Sequence, residues 1–440
     1  MTADIGTRLA NRILWGLLAG AAAGGLTLLV GEAFPGVLDA ARNFATFVLE
    51  PIGQVFLRML FFVILPLIFA SLASGVAQLG RLSQLGPMAV RTFLLFFLNM
   101  AIAVALGLVM MNLLEPGNAM DPDSQARLLQ EYGGDAAAHI EKRAGAPDVT
   151  PMTIVEMFMP RNLFGAFIGN NRNALGDILP LILFAILVGA AALKLPQERR
   201  DQLRSGLSLV NELMTGIVHF ALRLAPYAVP AMIYSVVVKI GWDIVVALGM
   251  FVTGCIAMML LHLFGTMSVW LRLLARRNPL ETFKLIRPVL ATAFATSSSA
   301  AALPTALAAA REDLGVKAPV AGFVLPLGTT MNMSGTALFE GCVVLFIAQV
   351  FGIELSFAHQ VTLVLLAVLS AVAVAAIPGG ALPMVAGLLA AFGVPPEGIG
   401  IVLGVERLLD MTRTMVNVGS DVVTTVVVDR FTKLEEKGDV

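Results

Sequence analysis

The sequence predicts an all-α membrane protein with eight transmembrane helices, two re-entrant helical hairpins and inverted repeats. Hydrophobic residues make up 58% of the 440 residues and charged residues only 13%, against roughly 25% in soluble proteins. Apolar stretches long enough to cross a bilayer recur along the chain, and two further apolar stretches are interrupted at their middle. Because so little charge cannot cover a water-facing surface of this size, we place the chain in a bilayer.

Eight apolar stretches have the length of a bilayer-spanning helix, which needs about 20 mostly apolar residues. Three of them are too long for one upright crossing, so we expect tilt or extension beyond the bilayer. Pro66, Pro226 and Pro230 are expected to kink the helices that contain them. The stretches lie at residues 12–32, 45–78, 89–114, 176–196, 204–238, 242–275, 318–349 and 399–428.

The two interrupted stretches lie at residues 282–312 and 357–395. The first contains the run 296–299 (Thr-Ser-Ser-Ser) and then Pro304 at its middle, and the second contains the run 378–380 (Pro-Gly-Gly). Each half is too short to cross, so the backbone freed at the break must line a cavity or be buried in protein. Both stretches are typical of re-entrant hairpins, although a pair of kinked full-span helices would fit the same residues. The two matched breaks also suggest an inverted repeat.

Basic residues mark one side of the predicted topology. Lysines and arginines lie before the first span, after the second, fourth and sixth spans, and in the C-terminal tail. The positive-inside rule places all of them in the cytoplasm. Arg311 and Lys317 share that side only if the first interrupted stretch returns to the side it left, and the acidic loop at residues 115–150 then lies outside. We therefore expect both termini in the cytoplasm and one hairpin opening from each side.

Several function classes are disfavoured by the composition. The formal net charge of −1 and the lack of a long basic tract argue against a nucleic-acid partner. The two cysteines and four histidines show neither disulfide nor metal-ligand spacing. The sequence also contains no nucleotide-binding loop and no evident nucleophile–base pair, so we do not expect an enzyme.

The last span carries a narrow polar stripe formed by Glu406, Asp410, Arg413, Asn417 and Asp421. At 100° per residue these side chains fall within an arc of about 80° around the helix axis. Charge at mid-bilayer is costly, so the stripe must face a cavity or partners. The alternative is an Asp410–Arg413 pair that only neutralises itself, and it leaves Asn417 and Asp421 unexplained.

The chemistry of the stripe suits a zwitterionic acidic ligand. Arg413 offers a planar fork that can hold a carboxylate through two hydrogen bonds. Asp410, one turn away, can accept an ammonium group, and Asn417 can donate to a second carboxylate. Asp421, a turn deeper, has oxygens suited to a hard cation. A carrier of anions alone would have no use for Asp410 beside the arginine, which favours an acidic amino acid over a plain dicarboxylate.

The seventh span contains the run 328–336, which reads Gly-Thr-Thr-Met-Asn-Met-Ser-Gly-Thr. This run is poor helix material and is typical of an unwound turn whose carbonyls coordinate Na⁺. The alternative is a flexible kink without a ligand. Glu340, one turn beyond Thr336, is a further intramembrane carboxylate and a proton-carrier candidate. Its alternative role is to pair with a buried polar group such as Arg58.

These motifs resemble the dicarboxylate/amino acid:cation symporters, a family that includes archaeal aspartate transporters and the excitatory amino acid transporters. The resemblance spans essentially the whole chain, in the order of eight spans and two hairpins. Its strongest parts are the runs Thr296–Ser299 with Leu303-Pro304, Asn332–Thr336, Ile377–Gly379, and Asp410–Asn417 with Asp421.

The resemblance implies a secondary active symporter for aspartate or glutamate, driven by Na⁺ gradients, H⁺ gradients or both, with alternating access of the elevator type. It implies a homotrimer surrounded by lipid, which we place in a prokaryotic plasma (inner) membrane, with no covalent cofactor. The implied parts are scaffold helices 1 and 2 (1–88), transport-domain helix 3 (89–114), an extracellular loop (115–150), scaffold helices 4 and 5 (151–240), the rest of the transport domain (241–430) and a cytoplasmic tail (431–440).

The resemblance also assigns residues to the site. Glu340 matches the position that carries a proton in the animal members, and one or two Na⁺ sites are implied. The implied substrate-binding residues are Ser298, Ser299, Thr336, Ile377, Pro378, Gly379, Asp410, Arg413, Thr414 and Asn417, and the implied Na⁺-binding residues are Gly328, Thr330, Asn332, Asn417 and Asp421.

This chain departs from the family at one sodium site. The third position of the family's Asn-Met-Asp-Gly-Thr motif is Ser334 here, and the residues expected to complete that site are Phe96, Asn99 and Met100. Phenylalanine and methionine offer no ligand oxygen, so we expect fewer Na⁺ ions per cycle than in the archaeal relatives. Val374 stands where a hydroxyl is usual near the second hairpin, which weakens the gate-linked sodium site as well.

Two alternative functions stay open. A symporter of the same fold could carry C4-dicarboxylates or neutral amino acids; Asp410 argues against the former and Arg413 against the latter. A channel or a membrane-embedded enzyme is the other class, and a channel would conduct without concentrating its substrate.

Overall fold

The computed structural model describes residues 2–63, 65–67, 69–70, 73–74, 76–77, 87–121, 159–168, 178–374 and 381–432. Within these ranges all regular secondary structure is helical, which confirms the predicted all-α class. The predicted hairpin tip at Ile377–Gly379, most of the 115–150 loop and the tail after Thr432 lie outside the described residues.

The described residues of the N-terminal half form seven α-helices. The second continues without interruption through a π-helical turn (Ala45–Leu49) into the third, and a short 3₁₀ turn (Pro116–Ala119) follows the fourth. The helices are α1 (Thr2–Ala33), α2 (Pro35–Phe44), α3 (Glu50–Phe62), α4 (Pro87–Leu114), α5 (Leu163–Ile168), α6 (Ile178–Ala192) and α7 (Gln197–Ile240).

Ten further α-helices lie in the part of the C-terminal half that the structure describes. Two π-helical turns (His262–Thr266 and Leu271–Ala275) flank the short α9, so that residues 243–275 form one continuous rod. The helices are α8 (Asp243–Leu261), α9 (Met267–Trp270), α10 (Pro279–Leu285), α11 (Arg287–Thr296), α12 (Ser299–Ala308), α13 (Ala318–Met331), α14 (Ser334–Val350), α15 (Phe357–Ala373), α16 (Leu382–Ala391) and α17 (Ile399–Phe431).

Among the described residues, four helical rods are long and apolar enough to cross a membrane: Trp15–Ala33, Pro87–Ala119, Asp243–Ala275 and Ala318–Val350. The two parts of α7 would make a fifth as one bent span. The predicted eighth span is present as α17, but its charged residues set it apart from an ordinary apolar span. The count of eight therefore stays a prediction.

The bend in α7 has an identifiable cause. The segments Gln197–Val218 and Arg223–Lys239 meet at 51°, and Pro226 follows the bend by one turn. Proline has no N–H to donate to the carbonyl four residues earlier, and its ring collides with that carbonyl. The bend therefore lies where the sequence predicts a kink.

The first interrupted stretch forms two separate short helices. α11 and α12 each contain 10 residues, or about 15 Å at 1.5 Å per residue, so neither can cross a bilayer alone. Ser297 between them adopts a left-handed conformation with φ 49°, and the Ser298 side chain caps α12 by accepting a hydrogen bond from the Ala301 N–H at 3.3 Å. The break thus falls within the predicted run.

The helices pack in two groups. α1 and α3 pack against α7, where Lys239 forms an ion pair with Glu50 and Ser235 donates a hydrogen bond to the same carboxylate at 3.1 Å. In the other group α4 packs against α14, and α17 packs against α11, α13 and α14. α17 also contacts α1 and α7, so it lies where the two groups meet.

Basic residues gather at the C-terminal end of α17. Arg91, in the first turns of α4, donates to the carbonyl of Phe431. Lys317, just before α13, donates its backbone N–H to Asp429 at 3.0 Å and pairs with the same carboxylate through Nζ at 3.3 Å. Cations are favoured at a helix C-terminus by the helix dipole. The structure thus brings to one end of the bundle two basic residues that the charge pattern places on one side of the membrane.

Candidate functional site

The polar stripe on α17 is buried within the helix bundle. Glu406, Asp410, Arg413, Asn417 and Asp421 are between 1% and 6% exposed. Such a set of buried polar groups in a membrane protein must find partners or line a cavity. The partners come from the same helix at the Arg413 end and from the broken α13–α14 segment at the Asp421 end.

Arg413 is the centre of a four-residue ion cluster. Its Nε donates to Asp410 Oδ1 at 2.9 Å and its Nη2 to Glu406 Oε1 at 2.9 Å. Arg407 approaches the other Asp410 oxygen at 3.4 Å. The guanidinium also lies 4.9 Å from the centre of the Phe339 ring, within the range of a cation–π contact. Two cations and two carboxylates balance in formal charge, so the cluster can remain buried without a ligand.

One face of Arg413 is still available. Nη1 is buried and has no hydrogen-bond partner in the part of the chain that the structure describes. A bidentate carboxylate needs two adjacent N–H groups, and Nη2 already contacts Glu406. An incoming carboxylate would therefore use Nη1 and compete with Glu406 for Nη2. The structure does contain the Asp410–Arg413 pair that could simply neutralise itself, but this pair is part of a larger ion cluster.

The predicted unwound turn lies between α13, which ends at Met331, and α14, which begins at Ser334. The side chain of Asn417 holds the start of α14: its Oδ1 accepts hydrogen bonds from the N–H groups of Gly335 at 2.7 Å and Thr336 at 3.2 Å. Its Nδ2 donates to Thr336 Oγ1 at 3.0 Å. The first N–H groups of a helix have no partner within the helix, and here a neighbouring helix supplies one.

Gly335 allows this close approach. A Cβ at this position would lie 2.5 Å from the carbonyl oxygen of Arg413 and 3.0 Å from its Cα. Both are backbone atoms that cannot rotate away. The glycine in the motif is therefore explained by the contact between α14 and the residue proposed to bind substrate.

Asp421 is the centre of a second polar cluster. Asn332, in the unwound turn, donates Nδ2 to Asp421 Oδ1 at 2.9 Å, and a Cβ added to Gly328 would collide with the same carboxylate. Asp421 Oδ2 is buried without a hydrogen-bond partner among the described residues. Gly328 and Asn332 thus lie against Asp421, whereas Asn417 of the same helix holds the start of α14. A buried carboxylate oxygen next to a helix break is a suitable ligand for a hard cation.

Other predicted site residues are arranged as follows. Thr414 donates Oγ1 to the carbonyl of Asp410 at 2.7 Å, and Ser299 is the buried first residue of α12. Thr330 is exposed and donates to the carbonyl of Leu327 at 3.1 Å, which leaves it outside the Asp421 cluster. The hairpin tip Ile377–Gly379 lies outside the described residues.

Glu340 lies on α14 and is completely buried. Within the described ranges neither carboxyl oxygen makes a hydrogen bond of good geometry, although Ser370 of α15 and Arg413 of α17 lie within electrostatic reach. Arg58, its alternative partner, is exposed. Burying an ionised carboxylate without partners is far more costly than burying the neutral acid.

The residues that differ from the family's sodium-site motif contact the following groups. The Ser334 hydroxyl lies 2.9 Å from that of Ser420, whereas Phe96 and Met100 are buried in the apolar core. Asn99 donates Nδ2 to Asn332 Oδ1 at 2.9 Å. Sequence reasoning did not place Ser420 or Phe339 at the site, since both contacts depend on how separate helices pack.

Comparison with known proteins finds relatives that match nearly the whole chain. Residues 9–431 match the model of the Sodium:dicarboxylate symporter family. The proton/sodium-glutamate symport protein of Bacillus subtilis is 30% identical over 392 residues, 87% of this chain and 86% of that protein. The proton/glutamate-aspartate symporter of Escherichia coli is 28% identical over 87% of this chain and 85% of its own. The C4-dicarboxylate transport protein of Deinococcus radiodurans is 31% identical over 92% of this chain and 86% of its own.

Proposed function

Because the chain belongs to the sodium:dicarboxylate symporter family, we propose that it is a secondary active symporter for aspartate or glutamate, driven by Na⁺ gradients, H⁺ gradients or both. The family and the named relatives are transporters, not enzymes. The observation that carries the choice of substrate is the buried Asp410–Arg413 pair, in which Nη1 of the arginine has no partner among the described residues.

The cluster has a group for each charge of an acidic amino acid. A carboxylate of the substrate would bind Arg413 through Nη1 and exchange with Glu406 at Nη2. Asp410 would then accept the ammonium group, since an incoming carboxylate weakens its own pairing with Arg413. Thr336, Thr414, Asn417 and Ser298–Ser299 would line the remaining surface, with the hairpin tip Ile377–Gly379 closing over it.

The coupling ions would use the other end of α17. We assign one Na⁺ to Asp421 with Gly328, Asn332 and Asn417, because Asp421 has a buried oxygen without a partner among the described residues, and Gly328 and Asn332 lie against its carboxylate. Thr330 would contribute to a second site below the gate. Ser334, Phe96 and Met100 support the loss of a further sodium site, and the buried Glu340 is assigned the coupling proton.

The two helix groups support an elevator. The group of α1, α3 and α7 would be the static scaffold, and the group around α17 would carry the substrate across the membrane. The proposal also includes eight spans with both termini in the cytoplasm. We further propose that the protein assembles as a homotrimer and lies in a prokaryotic inner membrane.

The test is uptake of labelled aspartate and glutamate into proteoliposomes with Na⁺ and pH gradients imposed separately. Uptake should become concentrative with at least one gradient and vanish when both are dissipated. Arg413→Ala should abolish binding of acidic substrates, whereas Arg272→Ala, an exposed arginine on the rod after α9, should leave it unchanged. Concentrative uptake with neither gradient, or retained affinity in Arg413→Ala, would contradict the proposal.

A C4-dicarboxylate symporter is the second candidate, favoured by the relatives that are named C4-dicarboxylate transport proteins. Succinate and fumarate lack the ammonium group that Asp410 would accept. Competition of labelled aspartate uptake by succinate, fumarate and serine separates the two. Strong inhibition by succinate would favour the second candidate, and strong inhibition by serine would favour a neutral amino acid carrier.

A further inference from the structure

A chain of two carboxamides links α4 to the carboxylate of Asp421. Asn99 of α4 donates Nδ2 to Asn332 Oδ1, and Asn332 donates Nδ2 to Asp421 Oδ1, both at 2.9 Å. Asn99 and Asn332 are fully buried and Asp421 is 1% exposed, so water does not compete for these bonds. The three side chains come from three different helical segments and meet at the helix break.

The direction of these hydrogen bonds is dictated by Asp421. A carboxylate can only accept, so the Asn332 carboxamide must turn its NH₂ toward Asp421 and its oxygen away from it. That oxygen then faces Asn99, which must present its own NH₂ in turn. In this arrangement the only Asn332 side-chain atom next to Asp421 is a nitrogen, and a nitrogen that carries hydrogens cannot coordinate a cation.

Asn99 has the means to support the opposite arrangement as well. Its Oδ1 is buried and has no hydrogen-bond partner among the residues described. If both carboxamides turned over, Asn99 Oδ1 would accept from the Asn332 NH₂, and Asn332 Oδ1 would face Asp421. The number of hydrogen bonds between the two asparagines is the same in both arrangements.

On the basis of the sodium site assigned to Asp421 in the proposed function, we propose that Asn99 is a positioning residue of that site. It sets whether Asn332 presents its NH₂ or its oxygen to the cation. Without a cation, the NH₂ of Asn332 neutralises part of the Asp421 charge. With Na⁺ at Asp421 the pair would turn over, so that Asn332 would offer its oxygen to the cation and Asn99 would accept the displaced NH₂.

The variant Asn99→Asp tests this role, because a carboxylate of the same size can accept the Asn332 NH₂ but cannot donate to its oxygen. It should favour the arrangement with the Asn332 oxygen toward Asp421. The concentration of Na⁺ that gives half-maximal binding of L-aspartate should fall by roughly tenfold, the effect of one hydrogen bond to a charged group. A purely structural role for Asn99 would instead raise that concentration.

A second comparison separates the turning of Asn332 from the added charge. In an Asn332→Ala background there is no carboxamide to turn, so the effect of Asn99→Asp should disappear, whereas a through-space charge effect would persist. Asn112→Asp is the matched control, since Asn112 lies on the same helix but pairs with Gln360. It should leave the Na⁺ dependence unchanged.

Several results would overturn the proposed role of Asn99. If Asn99→Asp does not fold, Asn99→Met serves, because its thioether sulfur can accept weakly but cannot donate, and a raised Na⁺ requirement in that variant overturns the proposal. The same holds if Asn99→Asp leaves the requirement unchanged or raises it, or if its effect persists in Asn332→Ala. In all these cases Na⁺-dependent binding by the unmodified protein would leave the proposed function intact. If the unmodified protein binds L-aspartate without any need for Na⁺, both the sodium site and the role of Asn99 are wrong.

Discussion

Arg413 contacts two carboxylates of its own helix, and this decides what a substrate must displace. Asp410 is one turn away and contacts both Nε and Nη2, whereas Glu406 is two turns away and contacts only Nη2. Both contacts are buried, where an ion pair resists separation more than at a surface. The substrate-free cluster is thus self-neutralised, and Glu406 is the partner that an incoming carboxylate can replace at least cost.

The first prediction concerns Glu406→Gln. Glutamine keeps a hydrogen-bond acceptor for Nη2 but removes the negative charge that an incoming carboxylate would meet. We expect the Kd for L-aspartate to fall by on the order of tenfold, equivalent to about 1.4 kcal/mol, when measured by titration calorimetry of the purified protein. Glu281→Gln, an exposed residue of α10, is the control. Weaker binding in Glu406→Gln would show that Glu406 supports the site rather than competing for it.

The second prediction concerns Glu340→Gln. Glutamine is close in size to the neutral acid but cannot release a proton. If Glu340 carries the coupling proton, initial rates of aspartate uptake in proteoliposomes should no longer respond to an imposed pH gradient at constant Na⁺, while the dependence on Na⁺ remains. The exposed Glu312 provides a matched Glu→Gln control. An unchanged response to the pH gradient would remove Glu340 from the coupling mechanism.

The residues that sequence alone could place at the site are those whose relative positions one helix determines. The stripe on α17 follows from 3.6 residues per turn, so Asp410, Arg413 and Asp421 are found on one face without any knowledge of packing. Asn99 and Phe339 lie on other helices and reach the site across the gaps between them, and Ser420 of α17 joins it through its contact with Ser334 of α14. Those contacts depend on helix crossing and rotation, which a single sequence does not determine.

At the scale of elements, the broken helices position the polar groups. Residues 332–333 interrupt the seventh predicted span, and Asn417 bonds the first N–H groups of α14. Composition predicts such breaks well, because glycine and short polar side chains favour non-helical backbone. Their length is harder to predict: α12 continues through Pro304, which the sequence places among the interrupting residues.

The third prediction tests the contact between α14 and α17. Gly335→Ala would place a methyl group 2.5 Å from the carbonyl oxygen of Arg413, so one backbone must shift. Overpacking of this kind costs about 1–3 kcal/mol, and it would also displace Arg413. We expect a lower thermal unfolding midpoint together with a higher Kd for aspartate.

Gly249→Ala is the control for this change, because a Cβ at that position of α8 meets no atom within 4 Å. It should be neutral or slightly stabilising, since alanine favours helix over glycine. Equal effects of the two substitutions would mean that the close approach at Gly335 does not matter for stability or binding.

At the scale of the whole molecule, α17 is the element that both helix groups share. It carries the polar stripe on the side of α11, α13 and α14, while its N-terminal half faces α1 and α7. There Gly404 lies against Leu17 of α1, and Gly400 lies against Met232 of α7. The surface of α17 that meets α1 and α7 is therefore shaped by glycines, well separated from the Asp421 cluster.

The last prediction uses this separation to distinguish binding from movement. A Cβ at Gly404 would collide with the side chain of Leu17, so Gly404→Ala destabilises this arrangement of the two groups relative to others that an elevator must also visit. Such a shift in population changes how often the arrangement forms without altering the chemistry of the site. We expect aspartate binding in detergent to be unchanged and uptake by proteoliposomes to slow several-fold. Leu17→Ala should restore uptake in the double variant, because it removes the colliding atoms. If binding and uptake fall together and Leu17→Ala rescues neither, α17 does not move past α1, and the elevator loses its structural support.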